Sequence, residues 1–90
     1  MKKLYVVVLK CLTPAQKAVQ GGHAISIIAA NKPNIEWNKQ TIIFMEATAT
    51  QLLKLEYIDG AVSFREPDMD NKITAVAGIG NNNKFKFNLV

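Results

Sequence analysis

The stretch Thr13–Ala30 constrains this chain more than any other, because it reads as a helix with a clear start and an anomaly at its centre. Thr13 is an N-cap residue, Pro14 suits the first helical position, and Gln16 stands where a capping box needs it. Apolar residues at Ala18, Val19, Ile25, Ile28 and Ala29 predict the face turned to a core. Gln16, Gln20, His23 and Ile27 form a second row, so two amides and an imidazole share one stripe. The anomaly is Gly21-Gly22. A glycine inside a helix costs about 1 kcal/mol relative to alanine. Two in succession predict close approach by a neighbouring backbone, a second subunit or a ligand.

The flanking residues supply the other elements. Leu4–Leu9 is a continuous β-branched run, the pattern of a strand covered on both faces, and Lys10–Leu12 is a short βα connection. Pro33 within Asn31–Asn34 ends the helix. Ile35–Lys39 is an extended or turn segment in which Trp37 packs as a lid on the first helix or stacks on a base. Gln40–Glu46 reads as a second strand. Thr48–Gln51 repeats the capping-box pattern and opens a short helix with Leu52, Leu53 and Leu55 inward and Asp59-Gly60 as its stop. Ala61–Arg65 is a third strand, Glu66–Lys72 an acidic turn, Ile73–Ile79 a fourth strand and Gly80–Asn83 a loop. Lys84–Val90 alternates lysine with phenylalanine, so this last strand covers a face or pairs with a second chain.

The element order predicts one α/β domain over residues 1–90, with a mixed, mostly parallel sheet of four to five strands and helices packed on its faces. Ligands of such sheets sit beyond the carboxyl ends of adjacent parallel strands. With the fourth strand parallel to the first, Lys10–Pro14 and Gly80–Asn83 flank one crevice, and the first helix points its N-terminus into it.

Composition narrows the function classes. A chain of 90 residues, 49% hydrophobic and 20% charged, is ordinary for a folded domain. No apolar run reaches about 18 residues, so no membrane partner is expected. The run after Lys2-Lys3 lacks the length and cleavage site of a signal peptide, which makes the expected location the cytoplasm. Cys11 and His23 are each the only residue of their type, which gives neither a disulfide framework nor a zinc set; no metal or cofactor is expected. A net charge of +4 favours anionic partners. Scattered lysines and a single arginine, Arg65, argue against reading of duplex DNA.

Several residues have chemistry to offer. The start of the first helix favours an anion, with Lys10 and Lys17 adding charge. His23 is a general base or a helix-face imidazole held within the fold. Glu66, Asp68 and Asp70 bind a metal, orient a water, or form a solvated turn. Cys11 precedes a helix start but has no base beside it.

The segment Ala18-Val19-Gln20-Gly21-Gly22-His23-Ala24, following the Leu4–Leu9 run, resembles the opening of type II peptidyl-tRNA hydrolases, whose first helix carries Ala-Ala-Gln-x-x-His-Ala. Thr74–Gly80 resembles that family's late strand, Thr-Val-Leu-Ala-Ile-Gly. The resemblance implies a mixed sheet with helices on its faces and an ester-hydrolysing ancestry. Departures bear on activity. The family's Lys-x-Gly-Lys-Gly-Lys approach to the first helix is replaced here by Cys11–Gln16, without a lysine. Its Asp-Ala-Gly-Arg-Thr-Gln segment is replaced by Glu66–Asn71, and its C-terminal helix by Lys84–Val90.

Two functions are therefore expected. The first is a catalytically degenerate binder of a nucleotide or RNA 3′ end, in a dimer or tetramer. Compact versions of the fold resemble phage proteins, for which sequestering a cyclic-nucleotide immune signal in the host cytoplasm is a use. Its candidate ligand-binding residues are Lys10, Thr13, Gln16, Lys17, Gln20, Gly21, His23, Arg65, Asp68 and Asn81. The second is an active peptidyl-tRNA hydrolase, with Lys10 or Lys17 stabilising charge and Asp68 or His23 positioning the water.

Overall fold

The computed structural model describes residues 3–31, 41–80 and 85–90. In chain order these form β1 (Lys3–Leu9), α1 (Pro14–Asn31), β2 (Ile42–Ala47), α2 (Ala49–Leu55), β3 (Val62–Glu66), a 3₁₀ turn (Pro67–Met69), β4 (Lys72–Gly80) and β5 (Asn88–Leu89). The expected segment Ile35–Lys39, with Trp37, and the loop residues Asn81–Asn83 lie outside the described residues.

The fold is α/β, a mixed five-stranded sheet in the order β3-β4-β1-β2-β5 with a helix on each face. The apolar run from Leu4 to Leu9 is central because both of its faces have a cover. Leu4, Val6 and Val8 pack against Ala24 and Ile28 of α1. Tyr5, Val7 and Leu9 share the opposite cluster with Leu52 and Leu55 of α2 and with Phe85. Both expected capping boxes form: Thr13 with Gln16 at 3.0 and 3.2 Å, and Thr48 with Gln51 at 2.9 and 3.3 Å.

Four features differ from the sequence reading. First, the sheet is not mostly parallel. Only β1 and β2 run parallel, while β4 is antiparallel to β1 with Lys3 opposite Gly80. Gly80 therefore leaves the sheet at the end opposite Lys10, so Lys10–Pro14 and Gly80 do not flank one crevice.

Second, α1 does not turn Ala18 and Val19 inward; Val19 is 57% exposed. Its buried residues are Gln20, Gly21, Ala24 and Ile28. The cause is Gly21. A Cβ there would stand 2.7 Å from Phe44 Cε2 and 3.3 Å from Val6 Cγ1, so the bare backbone lets the helix settle onto the sheet. Gly22 faces open space. The close approach is made by one aromatic ring of the same domain.

Third, Leu53 is exposed, because Leu52 and Leu55, with Ala49 beside them, make the inner face of the short α2. Fourth, only Asn88–Leu89 of the tail is strand, and Phe85 is not an exposed oligomer contact. It is 5% exposed and stacks on Tyr5 with centroids 4.9 Å apart, in the space that Gly78 leaves free.

Candidate functional site

The site is built on an irregularity in β4. Phe64 opposes Ala75 and Arg65 opposes Ile73, so Thr74 is an extra residue, a β-bulge. Along the regular part of β4, Ala75 and Ala77 face α1 while Val76 faces the other cluster. Unbroken alternation would place Thr74 with Val76. The bulge instead turns it to α1, where its hydroxyl donates to Gln20 Oε1 at 2.7 Å. A second acceptor, the Phe64 carbonyl, lies at 3.4 Å. Thr74 is fully buried and Gln20 is 6% exposed.

A buried amide has more hydrogen-bonding capacity than one acceptor uses. The Gln20 NH₂ group donates to none of the described residues, and Gln20 lines a cleft of about 340 Å³ between the first turns of α1 and the 3₁₀ turn. Leu12, Ala15 and Val19 line it from one side, and Glu66, Asp68 and Met69 from the other. The turn is short because Pro67 opens it and Asp70 and Asn71 take left-handed φ values of 55° and 58°. The Asn71 N–H closes it on the Glu66 carbonyl at 3.0 Å. Arg65 braces it from outside, donating to the Asn71 carbonyl at 3.3 Å and to Glu56 at 2.8 and 3.1 Å. Hydrogen bonds from Ser63 and then Arg65 hold the Glu56 carboxyl below the usual glutamate range.

Of the expected ligand residues, Gln16, Gln20 and Asp68 meet in this cleft. Thr13 caps the helix beside it. Gly21 is buried beneath Phe44. Lys17 points away, its ammonium 2.7 Å from Glu46 with both side chains largely buried. His23 stacks on Phe64 at 4.4 Å, and Arg65 is committed to Glu56. Asn81 lies outside the described residues. Lys10 lines a different cleft. The three expected catalytic groups, Lys10, His23 and Asp68, therefore occupy three separate places.

Val19 and Met69, which line the cleft, and Thr74, which holds Gln20 from behind it, are parts of the site that sequence reasoning did not assign. For Thr74 the signal was present: a lone hydroxyl in an otherwise apolar strand demands a buried partner. Among the described residues no three His, Cys, Asp or Glu side chains gather to hold a metal ion, and no helix is long and apolar enough to cross a membrane. No protein-family model matches the sequence, and no curated protein matches it at a significant level.

Proposed function

We propose that this chain is a small nucleotide-binding protein that takes a purine base into the cleft between α1 and the 3₁₀ turn and does not turn it over. One observation carries the reading: the bulge at Thr74 fixes the buried Gln20 amide at the cleft with its NH₂ group donating to none of the described residues. A guanine edge presents adjacent N–H donors beside a carbonyl oxygen. A carboxylate, Asp68 or Glu66, accepts from the donors while the Gln20 amide donates to the carbonyl. Val19 and Met69 supply apolar surface for the ring faces. A volume of about 340 Å³ is enough for a purine base.

Binding is favoured over turnover because the groups an ester hydrolase needs are dispersed. Lys10 and Asp68 line different clefts, and His23 is stacked on an aromatic ring. The resemblance to the hydrolase family then concerns a shape reused for holding a ligand.

The test is a panel of GMP, AMP, cyclic dinucleotides and a peptidyl-tRNA mimic, read by calorimetry and by ester cleavage together. A purine nucleotide is expected to be retained intact, and Gln20→Leu to weaken it about threefold to tenfold. Ester turnover that disappears with Asp68→Ala would show a hydrolase instead. Failure to retain any nucleotide at millimolar concentration would remove the binding function.

A further inference from the structure

A second cleft lies at the same end of the sheet and shares no residue with the first. It has an architectural cause. β1 and β2 are the parallel pair, and their connections part to opposite faces: the chain leaves Leu9 for α1 on one side and Ala47 for α2 on the other. Adjacent parallel strands whose connections diverge this way leave a crevice beyond their carboxyl ends, the customary ligand position in open α/β sheets. Here the crevice has a volume of about 280 Å³. The Lys10 N–H, donating to the Ala47 carbonyl at 2.8 Å, ties the two strand ends together at its floor.

Its charge is unlike that of the first cleft. Lys10 follows directly from β1. β5, antiparallel on the outer edge of β2 with Asn88 opposite Glu46, brings Lys86 and Asn88 to the same crevice. Among the described residues Glu46 is the one acid on its rim, and Lys17 neutralises it from the α1 face at 2.7 Å. Neither Lys10 nor Lys86 is ion-paired to any described residue. Thr48 and Gln51 line the rim too, but the Thr48 hydroxyl and the Gln51 carbonyl oxygen are engaged with each other and with the start of α2.

We infer that this crevice holds a phosphate group, with the Lys10 and Lys86 ammoniums as its charge partners and the Asn88 amide as a neutral donor. Both free phosphate and the phosphate of a small ester fit that chemistry. The inference does not rest on the purine reading, because the two clefts have no side chain in common.

The experiment is a titration followed by backbone amide NMR, using inorganic phosphate, a nucleoside monophosphate and the matching nucleoside. Phosphate and the monophosphate are expected to shift the amides of residues 47–48 and 86–88, and the nucleoside to leave those unmoved. Shifts from the monophosphate alone identify an ester, not the free ion, as the ligand. Lys10→Gln and Lys86→Gln should each weaken phosphate about fivefold or more, and Lys54→Gln, an exposed lysine on α2 outside the crevice, should not. Lys17→Met should also weaken phosphate, because it frees the Glu46 charge, and adding Glu46→Gln should restore binding. The same spectra report whether each variant is folded. The inference is overturned by wild-type affinity in the Lys10→Gln/Lys86→Gln double variant or by an equal loss with Lys54→Gln. It is equally overturned if the crevice amides stay still at tens of millimolar phosphate and monophosphate.

Discussion

Replacing each of two adjacent glycines with alanine should change stability in opposite directions. Both Gly21 and Gly22 lie mid-helix in α1, so each substitution gains the same helix propensity, about 1 kcal/mol. At Gly22 nothing opposes that gain, since among the described residues no atom beyond its chain neighbours and the adjacent helix backbone lies within 4 Å of the new Cβ. Gly22→Ala should therefore stabilise the fold by about 0.5–1 kcal/mol, raising Tm by roughly 2–8 °C for a domain of this size.

At Gly21 the Cβ would meet Phe44 Cε2 at 2.7 Å and Val6 Cγ1 at 3.3 Å. Ordinary carbon contacts are about 3.5–4.0 Å, so the ring must retreat by about 1 Å or the helix must lift from β1 and β2. Overpacking of this kind costs about 1–3 kcal/mol. Set against the propensity gain, Gly21→Ala should be destabilising by about 0–2 kcal/mol and melt at least 4 °C below Gly22→Ala. Trimming the ring tests the cause directly. In a double-mutant cycle Phe44→Leu should recover the loss at Gly21→Ala, with a coupling of about 1 kcal/mol, and should be additive with Gly22→Ala. Thermal denaturation of the six proteins gives every term. Equal stabilisation by both alanines, or a Phe44–Gly21 coupling near zero, would refute the account of how α1 seats on the sheet.

Two further outcomes follow from named contacts. Thr74→Val removes the hydroxyl that the buried Gln20 carbonyl oxygen relies on, and should cost about 1–3 kcal/mol in urea denaturation; pairing it with Gln20→Leu should recover part of that loss, because both orphaned groups are then apolar. Glu56 has a depressed carboxyl pKa in the fold, so its stabilising contribution is present above the unfolded value, about 4.3, and is lost as pH falls through the native value. Glu56→Gln should accordingly flatten the acid limb of the stability curve and leave its neutral-to-basic side parallel to wild type.

What could be read from the sequence was what local chemistry decides. The β-branched run of β1 and the two Thr-x-x-Gln boxes needed only their neighbours in the chain, and the structure has them where they were expected. Strand direction is different. The short connection between β3 and β4 already demands an antiparallel pair, since a parallel crossover needs a dozen or more residues. Nothing in the Ile73–Ile79 run, however, says which way it passes β1. The face of α1 was misread because apolar side chains were ranked, whereas the closest contact is made by a residue with no side chain. The tail was misread for a related reason: Phe85 finds its seat on Gly78, in the preceding strand, and on Tyr5, at the far end of the chain. In the cleft, Gln16, Gln20 and Asp68 were legible as polar residues at helical spacing or in a turn. The bulge that presents Thr74 to Gln20 depends on the register of two strands, which no single strand encodes.

The same geometry makes the cleft beside α1 unfavourable to a phosphate. An anion at a helix N-terminus is favoured by about 0.3–1 kcal/mol, and the lysine nearest that end would ordinarily strengthen the preference. Here Lys17 is drawn to the opposite side of the helix by Glu46, and Gln16 folds back to satisfy the Thr13 N–H. Across the cleft from Ala15 and Gln16 stand Glu66 and Asp68. The 3₁₀ turn thus brings its own carboxylates to the positive end of α1, and a phosphate entering there would meet two charges of its own sign. The positive potential that a phosphate requires is displaced to the other side of the Lys10–Leu12 connection, where Lys10 and Lys86 meet only an acid already neutralised. Lys17, expected as a ligand, therefore acts by its pairing: removing it should leave the first cleft unchanged and turn the second less attractive to anions.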